Sequence, residues 1–475
     1  MFARIVVDIP AKATDRLFDY EIPLSWESWV EIGSRVVVPF GPRKVLGFVV
    51  EITDDPELDR NRIKPIVEVM DTSPLLTEEL IQLSEWMRRT YLCNRIAALQ
   101  SMLPTALKAK YKRTLIVGDL DQKTEIDPVV SFVMQTDGAS RERVLEQFPG
   151  SEKLLKYLLT AGLLKEIHQV KSQGSKMKRL TVFPLPPAET ERILPQIPAQ
   201  AKRQKEVLSF LHQHPTPIPL AELTKQLGTT SATIKAIASK GWLRVESVEQ
   251  ARDPYADRNF QKTTPLSLTP QQKNVFQQVR NALTEKQSSV FLLHGVTGSG
   301  KTEVYLQWIE EVLKQGKESI VLVPEISLTP QMVERFKGRF GDLVAVMHSR
   351  LSMGERYDEW RKIKEKHAKV AIGARSAVFA PFTSIGLFII DEEHEASYKQ
   401  EDQPKYFAHD IAVARARYHR AVVVMGSATP SLERYFAPSE SVQRLQMKDR
   451  VAGRPLPKVD IVDMREELKT GNRSM

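Results

Sequence analysis

The sequence predicts a multidomain α/β protein with a β-rich N-terminal part, a helical middle and a C-terminal α/β lobe. Three observations predict this order: short apolar stretches between Gly and Pro turns, helical groups that end in a glycine and a strand, and apolar strands that alternate with helices. The 475 residues are enough for several domains with sizeable cores, and the net charge of +9 fits nucleic-acid binding without requiring it.

The first hundred residues have the pattern of short strands. Apolar stretches at Ala3–Val7, Arg35–Phe40 and Leu46–Val50 are separated by Gly and Pro turns, which favours a small β-barrel-like domain. A helical pattern follows from Thr77 to Tyr91.

The middle region contains two similar groups of three short helical segments, which begin at Pro128, Ser140 and Ser151 and at Glu206, Pro219 and Thr230. Each third segment ends in a glycine followed by an apolar strand, which is the order of a winged helix-turn-helix. Basic residues in 171–179 would form the first wing, and the Pro-rich stretch 184–198 would link the two copies. We expect this region to bind the duplex arms of a fork. The alternative is a winged fold that contacts another protein or acts as a spacer, because the fold by itself does not fix the function.

Composition excludes two other classes of protein. The single Cys93 excludes a disulfide framework and a cysteine zinc site within these residues. No uncharged apolar run approaches the roughly 20 residues of a membrane span, and no signal-peptide pattern opens the chain. We therefore expect a cytoplasmic protein without a membrane partner.

The most specific motif is Gly295–Thr302, which reads G-x-x-x-x-G-K-T between the apolar strand Val290–Leu293 and the helical pattern Glu303–Lys314. Glycines let the backbone direct several N–H groups at one phosphate chain, and the helix N-terminus adds its positive dipole end. Lys301 would reach the β- and γ-phosphates, and Thr302 would bind Mg²⁺. The predicted nucleotide contacts of the motif are Gly295, Thr297, Gly298, Ser299, Gly300, Lys301 and Thr302.

Two later strands end in polar motifs. The apolar strand Gly386–Ile390 runs into an acidic pair, of which Asp391 would hold Mg²⁺ through water and Glu392 would position or deprotonate the attacking water. A charged strand end is the alternative when such a pair stands by itself. The strand Ala421–Met425 runs into Gly426–Ser431, whose small hydroxyl residues would sense the γ-phosphate.

The three motifs in this order resemble the first, RecA-like P-loop lobe of superfamily-two DNA helicases. Further stretches resemble one family in particular, primosomal protein N′ (PriA), the replication-restart helicases; these are Leu268–Gln272, Leu322–Gln331, Met347–Ser349, Gly373–Phe379, Ser397–Gln400 and Tyr406–Asp410. The resemblance covers nearly the whole chain, and the middle region matches least well.

This resemblance implies roles for further residues of the lobe. Gln272 would read adenine, and Arg375 with Ser376 would contact the backbone of the tracked strand. His394 would relay the γ-phosphate state, which makes the implied catalytic set Lys301, Asp391, Glu392 and His394. An aromatic-rich loop would contact DNA through Tyr398, Tyr406 and Phe407, although ordinary packing of these rings is the alternative.

The N-terminal domain resembles the family's pocket for the 3′ end of a nascent strand, in Leu17–Tyr20, Pro39–Gly41 and Ile63–Pro65. The resemblance implies that Asp19 accepts the 3′-hydroxyl, that Gly41 allows close backbone approach, and that Lys64 contacts a phosphate or base. A solvated turn is the alternative for each residue.

The resulting domain prediction is a 3′-DNA-end-binding domain at 1–110, a winged-helix-like segment at 111–185, a Pro-rich linker at 186–200, a winged-helix domain at 201–250, a linker at 251–267 and helicase lobe 1 at 268–475. Full-length relatives would continue into a zinc segment and a second lobe, so zinc is expected in them but not in these residues. We accordingly expect this chain to bind DNA, to bind ATP weakly and to unwind little or nothing.

The resemblance implies a helicase that recognises stalled forks or D-loops through the nascent 3′ end. With ATP and Mg²⁺ it would translocate 3′ to 5′ so that the replicative helicase is reloaded. Its partners would be forked and single-stranded DNA, single-stranded-DNA-binding protein and helicase-loading proteins of the primosome. The alternatives are a non-catalytic fork-recognition module and another superfamily-two DNA translocase; the LFDY and PFG segments argue against the second alternative.

Overall fold

A computed structural model describes residues 1–104, 107, 112–118, 127–136, 138–169, 178–198, 201–214, 216–249, 260–285, 287–349, 351–453, 462–463 and 465. The chain forms two compact units: Met1–Val170 with Pro254–Met475 make the first, and Lys171–Asp253 make the second. In the part of the chain that is described, every helix is too short or too polar to cross a bilayer.

The N-terminal domain is an antiparallel sheet with the strands β1 (Phe2–Val7), β2 (Phe18–Glu21), β3 (Arg35–Phe40), β4 (Arg43–Thr53) and β5 (Glu68–Val69) in the order β2-β1-β4-β3-β5. The segment before β5 bonds to both β2 and β3. The Glu21 amide of β2 donates to the Lys64 carbonyl at 3.0 Å, and the Val67 amide donates to the Val37 carbonyl of β3 at 2.9 Å. The predicted β-rich domain is confirmed.

Two helices follow this sheet, α1 (Glu78–Tyr91) and α2 (Arg95–Ser101). The side chain of Thr77 caps α1 by accepting the Leu80 amide, and Leu80, Leu83 and Met87 form its buried face. The helix ends at Leu92, whose φ of 49° lies in the left-handed region. The predicted helix over Thr77–Tyr91 is therefore confirmed to within one residue.

The next segment packs against the N-terminal sheet and contains β6 (Lys112–Val117), α3 (Pro128–Gln135), α4 (Arg141–Gln147), α5 (Glu152–Thr160) and β7 (Leu164–Gln169). Arg141 donates to the carbonyl of Val69 at 2.7 Å. The three predicted helices are present, but β7 pairs with the preceding strand β6 rather than with a following wing strand. The predicted wing residues 171–176 lie outside the described residues.

The second unit contains β8 (Lys178–Pro184), α6 (Pro187–Ile193), α7 (Lys202–Gln213), β9 (Ile218–Pro219), α8 (Leu220–Gln226), α9 (Ser231–Ser239) and β10 (Leu243–Glu249), with the sheet order β10-β8-β9. The helices of the predicted second copy are all present. Lys178 and Arg179 belong to β8, which pairs with β10, so their assignment to the first wing is wrong. Whether this unit is a winged helix stays a prediction.

The predicted linker 186–200 is partly folded. Helix α6 begins there because proline is tolerated at the first helical position, and a 3₁₀ turn, Leu194–Gln196, follows it. Ile197 is only 6% exposed and joins the core of the second unit, which a free linker could not do.

The C-terminal lobe alternates helices and strands. Its elements are α10 (Pro270–Glu285), β11 (Ser289–Gly295), α11 (Lys301–Lys314), β12 (Glu318–Leu322), α12 (Pro330–Phe340), β13 (Val344–Met347), α13 (Met353–Lys364), β14 (Val370–Gly373), β15 (Ile385–Asp391), α14 (Ala408–His419), β16 (Val422–Ser427), α15 (Leu432–Tyr435) and β17 (Gln443–Met447). The strands form one parallel sheet in the order β13-β14-β12-β15-β16-β11-β17. Apolar side chains on both faces explain the continuous apolar runs in the sequence. The predicted RecA-like lobe is confirmed.

The N-terminal domain and this lobe share a hydrophobic core, and a buried ion pair lies beside it. Arg415 of α14 is fully buried and makes two 2.9 Å hydrogen bonds to the carboxylate of Glu79 in α1. The same guanidinium donates to the carbonyls of Val378 and Ala380. These contacts lie inside the first unit and fasten α1 of the N-terminal domain to the C-terminal lobe.

Candidate functional site

The three sequence motifs meet at one edge of the parallel sheet. Strands β15, β16 and β11 are neighbours, and the register places Asp391 and Leu293 on either side of Gly426. Because ligands of such sheets bind beyond the carboxyl ends of the strands, this edge is the expected position of a site.

The glycine-rich loop has the backbone that the motif requires. Gly298 and Gly300 have φ values of 83° and 82°, in the region that favours glycine. A Cβ on Gly300 would lie 2.4 Å from the side-chain nitrogen Nε2 of Gln272, so the loop leaves no room for a side chain at this position. Lys301 folds back and donates to the Gly295 carbonyl at 2.8 Å, and Thr302 is half-buried in the first turn of α11. Thr297 is exposed at the turn.

Gln272 supports this loop from α10. It is 4% exposed, donates to the Ser299 carbonyl at 2.8 Å and accepts the Thr269 amide at 2.8 Å. Its amide group is therefore bonded to the protein at both ends, and the predicted adenine contact stays a prediction. Its neighbour Gln271, which the sequence reasoning missed, accepts the Lys448 amide at 2.8 Å.

Asp391 lies at the end of β15 and is 8% exposed. It accepts a 3.0 Å hydrogen bond from the hydroxyl of the fully buried Tyr305. Burial, together with the neighbouring carboxylate of Glu392, raises the pKa of Asp391 above its ordinary value. A carboxylate in this environment is stabilised by a nearby cation.

Glu393 and His394, the last two residues of the acidic motif, connect the end of β15 to the end of β16. His394 Nδ1 and Ser427 Oγ lie 2.8 Å apart, and the Thr429 amide donates to the same oxygen at 3.0 Å. Glu393 accepts hydrogen bonds from the amide and the hydroxyl of Ser431 at 2.7 and 3.1 Å. The acidic motif and the Gly426–Ser431 motif are therefore joined by direct contacts, as a relay between them requires.

The loop after the acidic motif is also bonded to Asp391. Tyr398 donates its hydroxyl to the Asp391 carbonyl at 2.6 Å and is 1% exposed. Arg375 donates to the carbonyls of Ser397 and Lys399, so it holds this loop against the rest of the C-terminal lobe. Ser376 is exposed beside it.

Two of the three predicted DNA-contacting aromatics are buried. Tyr398 packs edge-on against His409 at 5.2 Å between ring centroids, and Tyr406 packs against Phe379 at 5.1 Å. Burial raises the pKa of Tyr406 to about 12. In this structure neither ring offers a face to a base, whereas Phe407 is 39% exposed with the Lys399 ammonium 5.2 Å from its centroid.

These elements border a cleft of about 820 Å³. Gln100 and Ser101 of α2 line it together with Arg375, Ser376 and the loop around Gln403. Ile326, which follows β12, lies at this cleft with 87% of its surface exposed. The N-terminal domain thus contributes directly to the cleft beside the predicted DNA-contacting residues.

The three predicted 3′-end residues lie in the N-terminal domain. Asp19 is 9% exposed and accepts the Glu57 amide at 2.7 Å, while its second oxygen lies 3.6 Å from Arg4. Gly41 has a φ of 57° in the turn between β3 and β4, and the Lys64 side chain is exposed. No hydrogen bond or ion pair of the described residues joins these three to one another, so a common pocket stays a prediction.

Sequence reasoning missed Tyr305, the partner of Asp391. It lies four residues after Lys301, so helical spacing places both on the same side of α11. That spacing is a signal by which Tyr305 could have been found.

Comparison with known families defines the class of protein. Residues 4–104 match the PriA 3′DNA-binding domain, and residues 269–435 match the DEAD/DEAH box helicase family. The fold and the site therefore define a DEAD/DEAH-type helicase lobe joined to a 3′DNA-binding domain.

Whole-chain relatives give the family. The chain is 47% identical to replication restart protein PriA of Bacillus subtilis (strain 168) and 36% identical to that of a Synechocystis strain, in alignments that cover 100% of this chain. It belongs to the PriA family. It spans 59% and 58% of the length of these two relatives. A structure of RecG bound to a three-way DNA junction aligns over 40% of this chain and 25% of the RecG chain, with 25% sequence identity. Its TM-score of 0.31 is too low to add to the argument.

Proposed function

We propose that the chain is the ATP-binding and DNA-end-binding part of a replication-restart DNA helicase. Such an enzyme hydrolyses ATP to translocate 3′ to 5′ along single-stranded DNA and opens a stalled fork for reloading of the replicative helicase. The observation that carries the proposal is that the glycine-rich loop with Lys301, Asp391 and Ser427 follow or end three adjacent parallel strands at one edge of the sheet. Membership of the PriA family supports it.

The glycine-rich loop fits a triphosphate. Its glycine conformations leave the backbone open to an anion, and the buried Ser299 hydroxyl has no hydrogen-bond partner among the described residues. Lys301 would hold the phosphate chain in exchange for its bond to the loop carbonyl. Bound ATP would supply the phosphoryl group whose transfer to water drives movement.

Thr302 and Asp391 would hold Mg²⁺, and Glu392 would orient the attacking water and accept its proton. The described residues contain no cluster of three or more His, Cys, Asp or Glu side chains that could hold a metal. Water and phosphate oxygens would therefore complete the shell around Mg²⁺, as is usual for this ion.

Titration with a fluorescent ATP analogue tests the nucleotide site. Lys301→Ala should weaken binding at least tenfold, because the loop loses its ammonium. Lys314→Ala is the matched control, since this lysine lies at the exposed end of the same helix and pairs with Glu311. Equal affinity of the Lys301→Ala variant and the control would contradict the nucleotide proposal.

Turnover separates a motor from a passive fork-recognition module. A motor lobe should hydrolyse ATP faster when oligo(dT) is added, and Lys301→Ala should abolish the increase. Binding of both ligands with no turnover under either condition would instead favour the non-catalytic module.

Fluorescence anisotropy tests the DNA-end pocket. DNA with a free 3′-hydroxyl should bind more tightly than DNA with a 3′-phosphate, and Asp19→Asn should reduce that preference while its amide oxygen still accepts the Glu57 amide. Asp55→Asn is the exposed control. Unchanged preference in Asp19→Asn would exclude this residue from recognition of the 3′ end. Single-stranded-DNA-binding protein, helicase loaders and a cytoplasmic location stay predictions.

A further inference from the structure

Tyr91 is the last residue of α1, but its hydroxyl lies against residues of the motor lobe. It donates to a carboxylate oxygen of Asp410 at 3.3 Å and accepts the backbone amide of Phe407 at 3.4 Å. Its ring packs edge-on against Trp86, with the centroids 5.8 Å apart. Burial, reinforced by the Asp410 carboxylate, raises the pKa of Tyr91, so the hydroxyl keeps the proton that it donates.

Asp410 connects this tyrosine to another motif. It lies in the first turn of α14, where a carboxylate is favoured by the helix dipole. Its second oxygen is 3.5 Å from the guanidinium of Arg434 in α15. Since α15 directly follows the Gly426–Ser431 motif, Asp410 lies between the N-terminal domain and the segment predicted to sense phosphate.

The loop between the acidic motif and α14 is fixed at both ends. At its start, Tyr398 donates to the carbonyl of Asp391. At its end, the amide of Phe407 is bonded to Tyr91, and His409 donates to the Glu393 carbonyl at 3.0 Å. Residues of this loop line the cleft, so a strand bound there would press on a segment anchored to both the nucleotide site and Tyr91.

We propose that Tyr91 is a positioning residue that holds the start of α14 and the loop 398–407 in place, so that nucleic acid in the cleft and nucleotide at the P-loop strengthen each other's binding. This inference rests on the proposed function. It adds that the N-terminal domain, through one hydroxyl group, sets the strength of that coupling. Coupling between two sites is a free energy that both ligands report equally.

The test is a thermodynamic cycle on the whole chain. The dissociation constant of a fluorescent ATP analogue is measured with and without saturating oligo(dT), and the ratio of the two values is the coupling. For the unchanged protein we expect a ratio of about 5 or more. In Tyr91→Phe, which keeps the ring against Trp86, the ratio should fall towards 1, whereas each ligand measured separately should bind within about twofold of normal.

Tyr418→Phe is the matched control, because this tyrosine is 50% exposed near the end of α14. Asp410→Asn approaches the same contact from the other side, and the double variant should show no greater loss of coupling than Tyr91→Phe. If Tyr91 had only a structural role, Tyr91→Phe would lower the unfolding temperature or weaken binding of both ligands. The ratio of the dissociation constants of the ATP analogue with and without oligo(dT) would then stay the same.

Three outcomes overturn the inference. If Tyr91→Phe keeps the ratio of the unchanged protein, Tyr91 does not position the loop. If the unchanged protein binds both ligands with a ratio of 1, there is no coupling to set, although the proposed function stands. If it binds neither ligand, the proposed function fails as well.

Discussion

Replacing Glu79 by Ala tests whether α1 and the C-terminal lobe unfold as one cooperative unit. The substitution removes the carboxylate that accepts two hydrogen bonds from Arg415 and leaves a guanidinium with 0% exposure without its counter-ion. Removing one partner of a buried pair costs about 3–5 kcal/mol. In a unit of about 390 residues each kcal/mol lowers the midpoint by about 1.2 °C, so we expect a fall of about 4–6 °C.

Differential scanning calorimetry at neutral pH measures this fall. Glu78→Ala is the control, because Glu78 lies in the same first turn of α1 but is exposed, and it should shift the midpoint by less than about 1 °C. Replacing the pair together, Glu79→Leu with Arg415→Met, should recover most of the loss because no charge is left buried. If Glu79→Ala unfolds within about 1 °C of the control, the reasoning is refuted.

The effect should also depend on pH. Burial by itself would raise the pKa of Glu79, but Arg415 and His419 outweigh it and hold the pKa below its ordinary value. A carboxylate with a lowered folded-state pKa contributes stability above its unfolded pKa of about 4.3 and loses it as pH falls further. The midpoints of the unchanged protein and Glu79→Ala should therefore converge below about pH 4.

Three further predictions concern single positions. Gly426→Ala should weaken binding of the ATP analogue in the same titration, because its Cβ would lie 1.8 Å from the Tyr305 hydroxyl that bonds Asp391; normal affinity would contradict this. Leu92→Gly should leave urea unfolding unchanged or stabilise it by up to about 1 kcal/mol, since Leu92 is 89% exposed at positive φ; a clear loss would refute the argument. Burial lowers the pKa of His409 to about 4 in the folded protein, so the neutral ring contributes its full stability above about pH 6.5. This stability should be lost as the pH falls from about 6.5 to about 4, and the unfolding midpoint of His409→Gln should depend less on pH over that range.

The position of the three motifs at one edge of the parallel sheet could be predicted because its information is local. Strands β11, β15 and β16 are continuous apolar runs, and each is followed at once by its polar motif. In a parallel sheet the carboxyl ends of the strands lie on one edge, so the order of strand and motif is enough to place Lys301 and Asp391 near each other. Capping residues mark helix starts in the same local way, as Thr77 does for α1.

The remaining contacts could not be predicted because they depend on residues far apart in the chain. Tyr398 and Phe407 look alike in sequence, but the first is buried against His409 and the second is exposed. The assignment of 186–200 to a linker followed its prolines, whereas the apolar Ile197 fills a core that local composition does not reveal. Glu79 and Arg415 are 336 positions apart, and neither helix contains a signal for the other.

These long-range contacts join the N-terminal domain to the C-terminal lobe. Helix α1 makes polar contacts with α14 through Glu79 and Arg415 and through Tyr91 and Asp410, which are about 18 Å apart along α1. These contacts add to the apolar packing between the two helices, and their separation resists rotation of α1 on the C-terminal lobe. Removing one partner of the buried ion pair would destabilise this junction, whereas the longer hydrogen bonds of Tyr91 end beside the cleft and the loop. Glu79→Ala should therefore change the unfolding temperature, and Tyr91→Phe should change the coupling between ligands without changing that temperature.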